Sequence, residues 1–412
     1  MDLPKPTTIK VIGLGGGGSN AVNRMIDLGV EGVEYIAANT DAQALAQSRA
    51  PVRLQLGPNL TKGLGAGGRP ERGEAAAVES QEAIKAAMRG ADMVFLTAGM
   101  GGGTGTGAIP VAAAAAQSLG ILTVAVVSTP FAFEATQRQR NAENGLAKLR
   151  AHVDTLITVP NDKLLTLLPR STTFDVALRV ADEVLRQGVQ GIIELISKPG
   201  LMNVDFSNVK ALMKQAGSAL MAIGHGRGEN KAVDSARQAL KMPLLDVKSL
   251  EQASGLLLHF TGGEDLSLYE VNQAVSEISQ TAPQADVVVG ATIDPMWNGR
   301  TQAILIVTGI DNRQQLEEMM TARSQMIIQS RTNPTAGTVP AHAPAHTALA
   351  QPAPVMADAT GHLAEALFSQ AIADASPGRA SHVATDSAPP DASNLDMPAF
   401  LRRRTLRDFE RR

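Results

Sequence analysis

No cysteine occurs among the 412 residues. This excludes disulfides, thiolate nucleophiles and cysteine-held metals, and it suits a reducing compartment. Aromatic residues make up only 3%, so the core must be built from Val, Leu, Ile, Ala and Met. Neither sign of charge predominates: 37 Lys and Arg against 40 Asp and Glu leave a formal net charge of -3, which gives the chain as a whole no electrostatic basis for binding nucleic acid. No run reaches the roughly 20 apolar residues of a membrane span. The longest candidate, Ile109 to Val127, is broken by Gln117, Ser118 and Gly120. The first ten residues carry Pro4 and Pro6 and no apolar stretch of signal-peptide length, so a cytoplasmic protein is expected. The P-loop pattern G-x-x-x-x-G-K-[ST] is also missing.

What is present is a hydrophobic content of 44% and 38 glycines, many of them clustered. Clustering suggests loops held close to a ligand more than general flexibility. Apolar runs at Ile9 to Leu14, Glu34 to Ala38, Asp92 to Ala98, Leu122 to Val127 and Thr155 to Val159 predict strands. Asn20 to Leu28, Asp41 to Gln47, Glu71 to Met88, Ile109 to Ser118, Glu143 to Ala151 and Asp175 to Ser197 predict helices. This alternation is the signature of an α/β protein with a mostly parallel, doubly wound sheet. Further along, Val209 to Ala222, Glu229 to Ala239 and Leu266 to Ile278 read as helices. Ser254 to Phe260, Ala285 to Thr292 and Gln302 to Thr308 read as strands of a second compact unit. Beyond Asn312 the pattern fades. Residues 330 to 392 are rich in Ala, Pro, Thr and Ser and read as a disordered tether, before apolar and basic residues return at the end.

Two glycine loops carry the chemistry. Gly13-Leu14-Gly15-Gly16-Gly17-Gly18-Ser19-Asn20 lies between a predicted strand and helix, where backbone N–H groups and the helix N-terminus favour an anion. Its Gly13, Gly15 and Gly18 also satisfy the dinucleotide fingerprint G-x-G-x-x-G, with Asp41 as a late ribose ligand, so a nicotinamide-dependent oxidoreductase is one reading. The second loop, Gly99-Met100-Gly101-Gly102-Gly103-Thr104-Gly105-Thr106-Gly107, has the same setting. A dinucleotide has no evident need for it, whereas a triphosphate does. A third cluster, Gly63 to Gly68, strengthens that reading. Neither of the first two loops carries a lysine, so the site would rely on backbone dipoles, hydroxyls and a Mg²⁺ counter-charge.

Together these residues resemble the FtsZ family, the bacterial relatives of tubulin. The resemblance runs from about Lys10 to Ile310 and returns at the C-terminus. It rests on GGGGSN at Gly15 to Asn20, Ala38-Asn39-Thr40-Asp41, KGLGAG at Lys62 to Gly67, GMGGGTGTG at Gly99 to Gly107, Pro160-Asn161-Asp162 and Asn203-Val204-Asp205-Phe206. It implies a GTPase that binds GTP and GDP, self-associates head to tail into polar filaments of the division ring, and works in the cytoplasm at mid-cell. Gly16, Gly17 and Asn20 would belong to the first phosphate loop, and Ala66, Gly67 and Gly68 to the loop sensing the γ-phosphate. Gly99, Gly102, Gly103, Thr104, Gly105 and Thr106 would form the central phosphate loop, with Thr106 donating to the nucleotide. Glu134 and Arg138 would lie near ribose and phosphates; Asn161, Leu178 and Asp182 would meet sugar and guanine.

The same resemblance divides the chain into a GTP-binding domain (1–171), a central helix (172–198), a synergy loop (199–208), a C-terminal domain (209–312), a linker (313–390) and a terminal peptide (391–412). The synergy loop would enter the next subunit's site, with Asp205 activating water and Asn203 and Asn208 assisting. The terminal peptide, with Asp396, Pro398, Phe400, Leu401 and Arg402, would dock on a membrane-bound adaptor such as FtsA. Four departures mark a divergent copy. Leu178 replaces an aromatic residue, Ser128-Thr129 a Thr-Lys pair, Ala135 a glycine and Asn208 a second aspartate. They leave open a slow or non-hydrolysing homologue that co-assembles with another filament protein.

Overall fold

The computed structural model describes residues 7–169, 171–197, 205–214, 217–245 and 250–310. The predicted linker and terminal peptide lie outside them, as does Asn203. The first half alternates strand and helix: β1 (Ile9–Leu14), α1 (Gly15–Asp27), β2 (Val33–Asn39), α2 (Ala42–Ala46), β3 (Val52–Gln55), α3 (Pro58–Thr61), α4 (Pro70–Glu79), α5 (Gln81–Met88), β4 (Met93–Gly99), α6 (Thr104–Ser118), β5 (Leu122–Thr129), α7 (Thr136–Arg150), β6 (Thr155–Pro160) and α8 (Asn161–Leu165). The long helix α9 (Phe174–Ser197) follows. After it come α10 (Phe206–Lys214), β7 (Gly217–Arg227), α11 (Lys231–Leu240), β8 (Gly255–Gly262), a helix at Leu268–Thr281, β9 (Asp286–Ile293) and β10 (Arg300–Thr308).

All ten strands join one sheet in the order β3-β2-β1-β4-β5-β6-β7-β10-β8-β9. Strands β3 to β7 run parallel along that order. Strand β10 is antiparallel to β7 and β8, and β9 returns parallel to β8. Strands β1, β4 and β5 are buried on both faces, which explains their apolar runs. Val11 and Phe95 enter one core with α1 and α9, while Ile12 and Leu96 enter the other with α4, α5 and α6. The strand order reverses between β1 and β4, and in such sheets the crevice outside the strand ends at that reversal is where ligands bind. Both glycine loops leave these two strands.

Helix α9 is buried along most of its length and joins the two halves of the sheet. Its Gln187 accepts a hydrogen bond from Gln302 of β10 at 3.2 Å, and its Glu183 and Arg186 form a buried ion pair one turn apart.

Two expectations need correction. Val209 to Ala222 is not one helix, because the chain leaves α10 and becomes β7 from Gly217. Ala219, Leu220 and Met221 favour helices in isolation, but pairing with β6 and β10 in mid-sheet overrides that preference. Glu71 to Met88 divides at Ser80, whose hydroxyl accepts from the Gly57 N–H at 2.9 Å and ties the break to the loop after β3.

Candidate functional site

Three glycine loops, two helices and the segment after β5 enclose a cleft of about 330 Å³, the size of a small-ligand site. The first wall is the turn from β1 into α1. Gly15 has φ +71, a conformation that lets the strand pass into the helix without an intervening loop. A Cβ on Gly18 would stand 2.3 Å from the Thr97 carbonyl oxygen, and one on Gly13 would stand 2.3 Å from that of Gly18. These two glycines of the dinucleotide fingerprint therefore pack α1 against β1 and β4, while Gly16, Gly17, Ser19, Asn20 and Asn23 line the cleft.

The second wall is the loop between β4 and α6, with Gly99, Met100, Gly102, Gly103, Thr104 and Gly105 in the lining. The structure separates Thr106 from these. It is buried, is not part of the lining, and its hydroxyl accepts from the Gly101 N–H at 2.8 Å. The Thr106 hydroxyl oxygen thus holds the loop from within, and the residue lies behind the cleft wall where donation to the nucleotide was expected. Asn141 of α7 adds a bond from its amide to the Gly101 carbonyl at 3.3 Å.

The third wall runs from Gly65 to Gly68. It is fastened to the start of α2: the Gly65 N–H donates to the Thr40 carbonyl at 3.1 Å and the Ala42 N–H to the Gly63 carbonyl at 3.0 Å. Asp41 caps α2 by accepting from the Gln43 and Ala44 N–H groups.

Opposite these loops lie Ser128, Thr129, Pro130, Glu134, Arg138, Asn161, Leu178, Ala181 and Asp182. Leu178, Ala181 and Asp182 share one face of α9 by their i, i+3 and i+4 spacing. Glu134 is nearly buried, pairs with Arg138 at 3.1 Å and accepts from the Phe131 N–H at 3.0 Å. Among the described residues the carbonyl-type oxygen of the buried Asn161 side chain has no hydrogen-bond partner. A buried acceptor left unpaired is costly, so this one calls for a donor from a ligand.

Between Glu134 and Arg138 the backbone is strained. Ala135 stands at φ 88 and ψ 143, a region that costs a side-chain-bearing residue about 1–3 kcal/mol. Replacing it with glycine removes the clash and adds some unfolded-state entropy. Ala135→Gly is therefore expected to stabilise the nucleotide-free protein by about 1 kcal/mol, a rise of roughly 2–4 °C in melting temperature. An unchanged or lower melting temperature would contradict the strain.

The structure thus gathers Gly16, Gly17, Asn20, Ala66, Gly67, Gly68, Gly99, Gly102, Gly103, Thr104, Gly105, Glu134, Arg138, Asn161, Leu178 and Asp182 around one cleft. Asp205 and Asn208 are exposed at the start of α10 and do not line it. Sequence reasoning missed Asn23, Gln47 and Thr129 as lining residues; it placed Ser19 and Asn39 only within motifs, and Asp41 only as a ribose ligand of the dinucleotide reading. Asn23 was within reach, since it lies one turn beyond Asn20 on the same helix. Gln47 leaves no local signal.

Gly16, Gly67, Gly68 and Gly102 have nothing within 4 Å of where a Cβ would stand, so bare backbone faces the cleft. Open glycine backbone, the Thr104 hydroxyl and an unpaired amide oxygen suit a polyanionic nucleotide. Together with the sheet order they define a tubulin-like GTPase. The family models agree: residues 8–169 match the GTPase domain of the Tubulin/FtsZ family and residues 217–311 the C-terminal domain of the FtsZ family. FtsZ from M. jannaschii, solved as an empty dimer, is 45% identical over 75% of this chain and 90% of that one, with a TM-score of 0.73. A point-mutant form of that protein is also 45% identical, over 75% and 92% of the two chains, with a TM-score of 0.72. CetZ2 from Haloferax volcanii, in a GTPγS-bound protofilament, shares the fold at 20% identity over 79% of this chain and all of that one, with a TM-score of 0.67.

The chain belongs to the tubulin/FtsZ family of GTPases. It is a self-assembling, GTP-hydrolysing cytoskeletal protein of the cell-division type. Among the described residues no helix is long and apolar enough to cross a membrane.

Proposed function

We propose that GTP lies in the cleft at the β1/β4 reversal and is hydrolysed only when a second subunit completes the site in a head-to-tail filament. The phosphates rest on Gly16, Gly17, Gly67, Gly68, Gly102, Gly103, Thr104 and Gly105. Asn20 and Ala66 close that cradle, Glu134 and Arg138 flank ribose and phosphates, and Asn161, Leu178 and Asp182 hold sugar and guanine. Guanine offers N–H donors that suit both the Asp182 carboxylate and the unpaired Asn161 oxygen. In this reading the units keep their bounds: 1–171 binds nucleotide, 172–198 is the central helix, 199–208 the catalytic loop and 209–312 the second domain.

The observation that carries the shared site is the placement of Asp205. It stands exposed at the start of α10, outside the cleft wall. The three lining carboxylates have other roles in this reading: Asp41 caps α2, Glu134 pairs with Arg138, and Asp182 faces guanine. A neighbour's Asp205 then accepts a hydrogen bond from the attacking water, with Asn203 and Asn208 beside it. No group of three or more His, Asp or Glu side chains able to hold a metal lies together among the described residues. Mg²⁺ would arrive on the triphosphate, held by phosphates, waters and few protein oxygens, where it would neutralise charge on the phosphates. The terminal peptide, through Asp396, Pro398, Phe400, Leu401 and Arg402, would dock on a membrane-bound adaptor such as FtsA and bring the filaments to mid-cell, an apolar anchor with a charged rim.

Phosphate release and light scattering recorded together after GTP addition test the reading. Release is expected to begin with the rise in scattering. Full-rate release before any scattering would contradict it.

A further inference from the structure

We propose that Thr40 is a positioning residue for GTP binding, acting through Thr104 and coupling the central phosphate loop to the Gly65-to-Gly68 loop. The inference rests on the reading of Thr104 as a phosphate ligand.

Thr40 follows the last residue of β2 and is completely buried. Its hydroxyl oxygen lies 2.5 Å from that of Thr104, the first residue of α6, which faces the cleft. Either oxygen could donate on distance alone, but the surroundings decide. Among the described residues the Thr40 hydroxyl meets no other hydrogen-bonding group. A buried hydroxyl hydrogen that is not donated costs free energy, so Thr40 donates and Thr104 accepts. Thr104 then keeps its own hydrogen for the cleft. Accepting one hydrogen bond also polarises its O–H and strengthens the bond it gives. The pair thus sets the direction of a proton that the fold of the loop alone would leave to rotate.

The backbone of Thr40 does a second job. Its carbonyl accepts from the Gly65 N–H at 3.1 Å and, more weakly, from the Thr61 hydroxyl at 3.4 Å. Asp41 and Leu64 pair as an isolated antiparallel bridge, and the Ala42 N–H reaches the Gly63 carbonyl at 3.0 Å. One residue therefore fastens the glycine loop by its main chain and orients the hydroxyl of the other loop by its side chain. Substitutions that keep the backbone but remove the hydroxyl separate the two roles.

The test is GDP and GTP affinity by calorimetry for the full chain and for Thr40→Val, Thr104→Val, the double variant and Thr40→Ser, each checked for an unchanged melting temperature without nucleotide. Thr40→Ala replaces Thr40→Val if valine proves too destabilising. Thr104→Val is expected to weaken binding about tenfold, the scale of one hydrogen bond to a charged group. Thr40→Val is expected to weaken it about fivefold, because the Thr104 bond is no longer oriented or strengthened. The double variant should bind like Thr104→Val alone, and Thr40→Ser should bind like the wild type. Loss with Thr104→Val but none with Thr40→Val, or losses that multiply in the double variant, would overturn the coupling and leave the nucleotide site standing. No loss with Thr104→Val would instead remove Thr104 from the site, and the proposal with it.

Discussion

Asp205→Ala is expected to lower GTP turnover in preformed filaments by at least about tenfold, roughly 1.4 kcal/mol of transition-state stabilisation, while GTP affinity stays nearly unchanged. Binding should survive because the cleft wall consists of loops on β1, β2 and β4, the Gly65-to-Gly68 loop, the segment after β5, Asn161 and one face of α9; Asp205 belongs to none of these. Turnover should fall because a carboxylate next to the γ-phosphate can accept a hydrogen bond from the attacking water, and an alanine cannot. Filaments of this variant should keep their GTP longer and come apart more slowly. Asn208, exposed one turn further on, can orient a water but brings no charge. Asn208→Asp is therefore expected to raise turnover where a bound cation offsets repulsion from Asp205. Single-turnover hydrolysis in preformed filaments reads these effects without interference from assembly. Wild-type hydrolysis by Asp205→Ala filaments would remove Asp205 from the chemistry.

The site was more legible in the sequence than the second half of the fold, for a physical reason. Phosphate loops need bare backbone at particular steps of a strand-to-helix turn, and that requirement leaves runs such as Gly99 to Gly107 in the sequence itself. Gly16 and Gly102 face open cleft because no side chain stands there. The role of Thr106 was not legible. A threonine among glycines can point toward a ligand or back into its own loop, and only the position of the Gly101 N–H decides. Strand β7 was hidden similarly. Ala219, Leu220 and Met221 have helical preferences, and their strand geometry comes from neighbours in β6 and β10 far away in sequence. The strain at Ala135 could be anticipated in part, since a glycine is usual there in the family the chain resembles. The magnitude comes from its φ of 88. Thr40 left no signal beyond its place in Ala38-Asn39-Thr40-Asp41, because its meaning depends on Thr104, which is 64 residues away.

In the proposed mechanism one subunit holds the nucleotide and the next supplies the water-activating group. Its largest consequence is in the dependence of rate on concentration. An isolated subunit has the cradle but not its neighbour's Asp205, so the rate per molecule should be close to zero in dilute solution and climb steeply once filaments form. GTP binding should meanwhile persist on dilution, because the phosphate loops, Arg138, Asn161 and Asp182 of a single subunit already line a common cleft. The most direct measurement is therefore specific GTPase activity across a dilution series at saturating GTP, with bound nucleotide measured on the same samples. Nucleotide-loaded but nearly inactive protein is expected below the assembly threshold. A rate per molecule that stays constant well below that threshold would contradict it.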